Sequence, residues 1–318
     1  MKKILLHVSL IWGTIFSLIG CGVDIPEIEK PVYPEKELPS LIEAEDDTSP
    51  TPDGLFDYSK IESHPRLFLN TQDFEQLKQK VTVNPILKKI HDIIINRCNK
   101  EFVGASTLTY QKNGKRLLTV SRNALERISH LAYGYRINGN YTYLTQAEKD
   151  IRSVCSFSDW NPTHYLDVGE MALAVAIGLD WLYDDLQPET RQMARNALEE
   201  YAFKTATDPT YSGQFINSTN NWNQVCNSGI LIAALTTYEK NKARSVEIIE
   251  QCFNSNKSKG MTTYGTYGNY PEGYMYWGYG TTYQVMMIAA LEKIFETDNG
   301  LSPVSYTHLR AHETRHDL

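Results

Sequence analysis

The chain has no Cys-x-x-Cys pair, and its five cysteines in 318 residues lie far apart, at Cys21, Cys98, Cys155, Cys226 and Cys252. Without paired sulfurs a zinc site has no ligand set, and the wide spacing selects no disulfide pairing. The last four sit on apolar or helical stretches and read as buried free thiols. An excess of basic residues is also lacking: 31 Lys and Arg against 38 Asp and Glu give a net charge of −7. That balance argues against a broad polyanion-binding surface and against nucleic acid as a partner, while leaving room for a local basic pocket. Long alternating strands are missing too. Only Leu67-Phe68-Leu69 and Leu117-Leu118-Thr119-Val120 could form short extended pieces.

A long apolar run occurs at the N-terminus, from Ile4 to Ile19 behind Lys2 and Lys3, and it ends in Leu18-Ile19-Gly20-Cys21. The run is short for a transmembrane anchor. The tetrad has the form of a bacterial lipoprotein box, so residues 1–21 read as a signal peptide and Cys21 as the lipidated residue. The expected location is the bacterial cell envelope, with the protein held to a membrane in the periplasm or at the outer-membrane surface by acyl chains. Residues 22–60 are rich in Pro and acid, with Pro26, Pro31, Pro34, Pro39, Pro50 and Pro52, and read as a tether. The folded domain is expected over residues 61–303. Residues 304–318 resemble the translated adapter read-through at the ends of truncated metagenomic reading frames. His308, His312 and His316 would align on one helix face, but that origin argues against a metal site. The natural protein is therefore expected to continue past residue 303, and the present piece to be inactive by itself.

Within the domain, helical periodicity follows helical periodicity. Asn84-Pro85 opens a run through Ile86, Leu87, Ile90, Ile93 and Ile94, with proline at the first helical position. A second starts at Ser121 and stops at Asn138-Gly139-Asn140, and a third spans Tyr143 to Cys155. Leu166 to Leu182 is nearly all apolar after Glu170 and reads as an inner helix. Pro188 begins the next, and Asn223–Tyr238, Val246–Phe253 and Tyr283–Phe295 complete the set. About eight helices with short joints, more and less apolar in alternation, predict an all-α domain of the α/α toroid type. An α-solenoid is the alternative, but no fixed-period consensus recurs.

Two polar clusters interrupt this pattern at helix starts. One is Asn217-Ser218-Thr219-Asn220-Asn221-Trp222-Asn223-Gln224. The other runs from Tyr270 through Pro271-Glu272-Gly273-Tyr274-Met275-Tyr276-Trp277-Gly278-Tyr279 to Tyr283, with five tyrosines, one tryptophan and three glycines in fourteen residues. Aromatic rings with polar tips suit a cleft that stacks sugars and offers hydroxyls for proton transfer. Together with His64-Pro65-Arg66-Leu67, Asp159-Trp160-Asn161-Pro162-Thr163-His164 and Trp181-Leu182-Tyr183-Asp184-Asp185-Leu186, these clusters resemble the toroid domain of the heparinase II/III-like polysaccharide lyases. The resemblance covers about residues 60–301.

Members of that family join an α/α toroid to β-sandwich sheets and cleave uronic-acid polysaccharides by β-elimination. The resemblance implies an acidic polysaccharide as substrate, with Asn221 neutralising the uronate carboxylate and Tyr276 as acid and base. Tyr279 is the substitute if the register slips. Asn220, Trp222, Gln224, Glu272, Tyr274, Tyr279 and His164 are the expected substrate-binding residues. Asn221 is also placed to cap its helix, and Glu272 reads as a hydrogen-bond anchor of its loop rather than an acid. Several family members carry His directly after the Asn pair, where this chain has Trp222, which cannot serve as a base. They also use a later histidine that lies outside this sequence. No cofactor is evident. A glycoside hydrolase using Asp167, Glu170 or Glu272, and a lipid-anchored glycan-binding protein, are the competing functions.

The lipoprotein assignment predicts that Cys21→Ala abolishes metabolic labelling with a radioactive fatty acid and releases the protein from membranes. Undiminished labelling of the variant would refute it.

Overall fold

Asparagine caps the starts of five α-helices among the described residues. The computed structural model describes residues 43–265 and 269–302, and among them the secondary structure is helical, without a strand. Asn70 caps α1 (Thr71–Val83) in a reciprocal capping box with Asp73, and Asn84 caps α2 (Pro85–Arg97). Helix α3 (Leu118–Asn138) ends at Gly139, which is left-handed with φ 67°. Asn140 caps α4 (Tyr141–Cys155). After α5 (Leu166–Trp181) comes α6 (Pro188–Ala197), which runs on through a π-helical turn, Leu198–Phe203. Asn220 caps α7 (Asn221–Thr236) and Asn241 caps α8 (Lys242–Ser258), before α9 (Tyr274–Phe295). A short polar side chain satisfies the orphan N–H groups of the first turn, typically for ~1 kcal/mol each.

Helices α3, α5, α7 and α9 pack side by side as an inner row, and α4 and α8 lie outside it. Burial separates the two layers. Every residue of α5 is buried, and so is every residue of α7 except Trp222, whereas α4 has one apolar face. The inner row is tight where α5 meets α7. A Cβ added at Gly229 would lie 2.0 Å from the carbonyl oxygen of Gly169, and one at Gly169 would lie 2.9 Å from the Cα of Cys226. The row also bends: Arg122 of α3 lies over the ring of Tyr279 of α9, 5.0 Å from its centroid. Because the outer helices return the chain each time, the starts of the inner helices share one rim.

At the opposite rim, Asp180 is buried at the end of α5 and gathers the incoming chain. It accepts from the backbone N–H of Leu67 at 2.8 Å and pairs with Nδ1 of His64 at 2.6 Å, while Arg66 pairs with Glu239. His64 and Arg66 thus tie the domain's entry to the ends of two inner helices.

Several expectations are corrected. Leu118-Thr119-Val120 form the first turn of α3 rather than an extended piece, and Leu67-Phe68-Leu69 is irregular, with Phe68 at φ 59°. Helix α9 begins at Tyr274, nine residues before the expected Tyr283. The tether does not extend to residue 60. Phe56 and Tyr58 are buried, Phe56 stacks on Phe295 at 4.6 Å, and Leu55 N–H donates to Glu250 at 2.5 Å. Ahead of them Glu43 accepts from Arg191 and Arg195, and although burial opposes its ionisation these two cations hold its carboxyl down at about 2. The signal peptide, Cys21 and residues 304–318 with their histidines lie outside the described residues. Cys98, Cys155, Cys226 and Cys252 are buried and unpaired.

The α5–α7 contact generates a stability prediction. Gly229→Ala should cost ~1–3 kcal/mol by overpacking against backbone, lowering the melting temperature by about 2–12 °C in a domain of this size. Gly278→Ala places its methyl where nothing lies within 4 Å, so it should melt no lower than wild type. Equal melting of Gly229→Ala and wild type would show that the two helices are not in this close contact.

Candidate functional site

Three buried carboxylate or amide centres lie along the rim where α3, α5, α7 and α9 begin. The first is built by the loop before α5. Asn161 adopts φ 57°, a left-handed conformation that asparagine tolerates, and its Nδ2 donates to Lys115 O at 2.8 Å and Asp167 Oδ2 at 2.6 Å. Leu117 N–H donates to the same Asp167 oxygen at 2.6 Å. The other oxygen, Oδ1, holds Nδ1 of His164 at 2.7 Å. A carboxylate with this many donors fixes the imidazole's orientation and directs Nε2 away, where it is buried without a hydrogen-bond partner. The His164 ring meets Trp222 edge to face, 5.0 Å between centroids.

The second centre joins three inner helices. Glu170 of α5 is fully buried, and its Oε1 accepts from Arg122 Nε of α3 at 3.1 Å and from the hydroxyl of Tyr279 of α9. Tyr283, one turn further along α9, faces the same carboxylate. Burial raises Glu170 above the usual carboxylate range, with Arg122 opposing, and burial pushes the Tyr279 and Tyr283 phenols well above theirs.

The third centre links the two polar clusters. Asn220 is the N-cap of α7, accepting from Trp222 N–H at 3.1 Å, so capping falls to Asn220 and leaves Asn221 as the first helical residue. Glu272 receives Asn221 N–H at 2.9 Å and Asn221 Nδ2 at 2.8 and 2.7 Å to its two oxygens. Asn221 is buried and its Oδ1 has no partner. Across from it is Gly280 of α9, where an added Cβ would come within 3.3 Å of Asn221 Cβ. Tyr276 lies one turn before Gly280 on the same face of α9. It is 51% exposed, and its phenol has no hydrogen-bond partner among the described residues.

The structure therefore brings Asn221 together with Glu272 and His164 with Trp222, and it leaves Tyr274 and Tyr276 exposed at the start of α9. Two expected ligand contacts face the protein instead. Gln224 is buried, with Nε2 donating to Gly260 O at 2.7 Å and Oε1 accepting from Tyr270 at 3.1 Å, so it ties α7 to the segments before α9. Tyr279 is buried with its hydroxyl on Glu170, which withdraws its phenol from direct contact with a ligand. Sequence reasoning missed Arg122. The available signal was a cation near the start of an inner helix, where the helix dipole disfavours positive charge.

No protein-family model matches the chain, and no curated protein matches it in sequence.

The raised Glu170 carboxyl has a signed consequence. A carboxyl whose folded value lies above its ordinary 4.5 contributes stability below that value and loses it as pH rises through the folded value. Glu170→Gln does not titrate. The excess of wild-type over Glu170→Gln melting temperature should therefore shrink as pH rises from 4.5 towards neutrality and above. A gap that widens over that range would mean that Arg122 and Tyr279 outweigh burial.

Proposed function

We propose that the protein is a polysaccharide lyase on an α/α toroid, cleaving a uronic-acid-containing polysaccharide by β-elimination. The observation that carries this reading is the pairing of two helix starts. Asn221, held by Glu272, lies against α9 one turn from the accessible phenol of Tyr276. The resemblance of both clusters to the heparinase II/III-like lyases supports it, and the bend that brings Arg122 to Tyr279 supports the toroid.

The chemistry asks for these groups. A uronate C5 proton is weakly acidic, and the neighbouring carboxylate opposes build-up of negative charge when that proton leaves. An amide N–H directed at the carboxylate offsets this without a metal. Asn221 Nδ2 contacts both oxygens of Glu272, an arrangement one N–H can make, and the second N–H of the amide is the donor for the substrate. Tyr276, reacting as the phenolate, takes the C5 proton, the electron pair forms the C4–C5 double bond, and the C4–O4 bond breaks. The leaving O4 takes that proton from the phenol so formed, which restores the phenolate, so acid and base are one residue in turn. Trp222 and Tyr274 offer ring faces to sugars, and His164 packs beside Trp222. A hydrolase would need a free carboxylic acid and a carboxylate. Asp167, Glu170 and Glu272 are each already engaged by protein donors, which favours elimination.

In the full-length protein Tyr276→Phe should lower the rate of appearance of ultraviolet-absorbing unsaturated uronate by ~10²–10⁴-fold with binding retained. Asn221→Ala should cost a comparable factor, and Glu272→Gln less, since it keeps one oxygen for Asn221. Loss of activity in Glu272→Gln with full activity in Tyr276→Phe would replace the lyase with a carboxylate-dependent hydrolase.

A further inference from the structure

Arg122 is used unlike the other ion-paired arginines among the described residues. Arg66, Arg97, Arg127, Arg191, Arg195 and Arg244 each place at least one terminal Nη group on a protein carboxylate or carbonyl. Arg122 pairs with Glu170 through Nε and has the Tyr279 phenol beside it, and neither of its Nη groups is placed on a carboxylate or carbonyl of a described residue. Its side chain is nevertheless held from two directions, by that buried carboxylate and by the ring of Tyr279 at 5.0 Å. Its side chain is 40% exposed, on the rim where α5, α7 and α9 begin. Glu170 takes one N–H of Arg122. The remaining edge is a planar fork of donors, pre-positioned and open, which matches a carboxylate in two parallel hydrogen bonds. Tyr279 and Glu170 thus act as supports that fix the fork's direction before a ligand arrives.

We infer that Arg122 is a recognition residue for acidic glycans, binding a uronate carboxylate of the chain other than the one at Asn221. The inference rests on the lyase reading for the identity of the ligand, but it concerns ground-state binding and not the chemical step. A braced local cation lets a chain with a net charge of −7 hold an acidic segment at this rim. A contact made equally in ground and transition states contributes to binding alone, so its loss raises KM more than it lowers kcat.

The test is calorimetric binding of oligoglucuronate, oligomannuronate and oligogalacturonate pentasaccharides to the full-length protein. Each is compared with the same oligomer after its carboxyls are reduced to primary alcohols. Wild type should prefer the acidic form of at least one oligomer, and Arg122→Gln should bind that oligomer roughly 10- to 100-fold more weakly, with the preference lost. Because Arg122→Gln leaves Glu170 buried without its cation, the double variant Arg122→Gln/Glu170→Gln repeats the measurement with that charge removed. Arg122→Lys, which keeps the charge but not the fork, should recover only part of the affinity. The proposal is overturned if wild type shows no preference for acidic oligomers, if either folded variant lacking Arg122 keeps the preference, or if Arg122→Lys binds as wild type does. Binding that depends on Arg122 without any unsaturated product would uphold Arg122 while sinking the lyase reading.

Discussion

Three carboxylates on a helix that has no exposed face are the constraint from which the rest of the architecture follows. Asp167, Glu170 and Asp180 of α5 are all fully buried. A buried carboxylate without donors is costly enough to shift its ionisation or unfold its surroundings. Each takes its donors from its own set of segments: Asp167 from the start of α3 and the loop carrying Asn161 and His164, Glu170 from α3 and α9 at Oε1, Asp180 from the entering segment at residues 64–67. Contacts that look like separate local features are thus the donor sets of one central helix.

The same constraint divides labour between the two rims. At the C-terminal end of α5, Asp180 takes backbone N–H groups and His64, and the result is a closed joint. At the N-terminal end, the donors that serve Asp167 and Glu170 have second functional edges: His164 has Nε2 and Arg122 has its Nη groups. A buried acid that holds a bifunctional partner leaves the partner's other edge oriented. Orientation by a buried group is what a binding or catalytic site requires, because the rotamer is fixed before the ligand arrives. The aromatic residues at the start of α9 differ. Tyr274 and Tyr276 are exposed, placed by their helix rather than by a hydrogen bond.

Much of the helix order is legible in the sequence because its punctuation is local. Pro85 and Pro188 at first positions, and Asn84 and Asn138-Gly139-Asn140 at ends, act within four residues of themselves. Helix α1 escaped notice although Asn70 and Asp73 have capping-box spacing, since its apolar face is narrow. The apolar periodicity places the start of α9 at Tyr283, while the backbone is already helical from Tyr274 through Gly278 and Gly280. The strap at residues 43–60 was hidden by its prolines and acids: composition signals disorder, yet Phe56, Tyr58 and the Glu43–arginine pairs anchor it.

The site was legible where function and punctuation coincide and illegible where it depends on tertiary pairing. Asn221 and Glu272 stand out in their clusters, but their partnership joins positions 51 apart in sequence. Arg122, Glu170 and Tyr279 meet from three helices, and α5 and α7 approach closely where Gly169 faces Gly229. Small residues at that crossing carry no chemistry of their own. Their lack of side chains permits a backbone approach that no chemical motif in the sequence announces, so the closeness of two helices that carry site residues depends on what is absent from the interior.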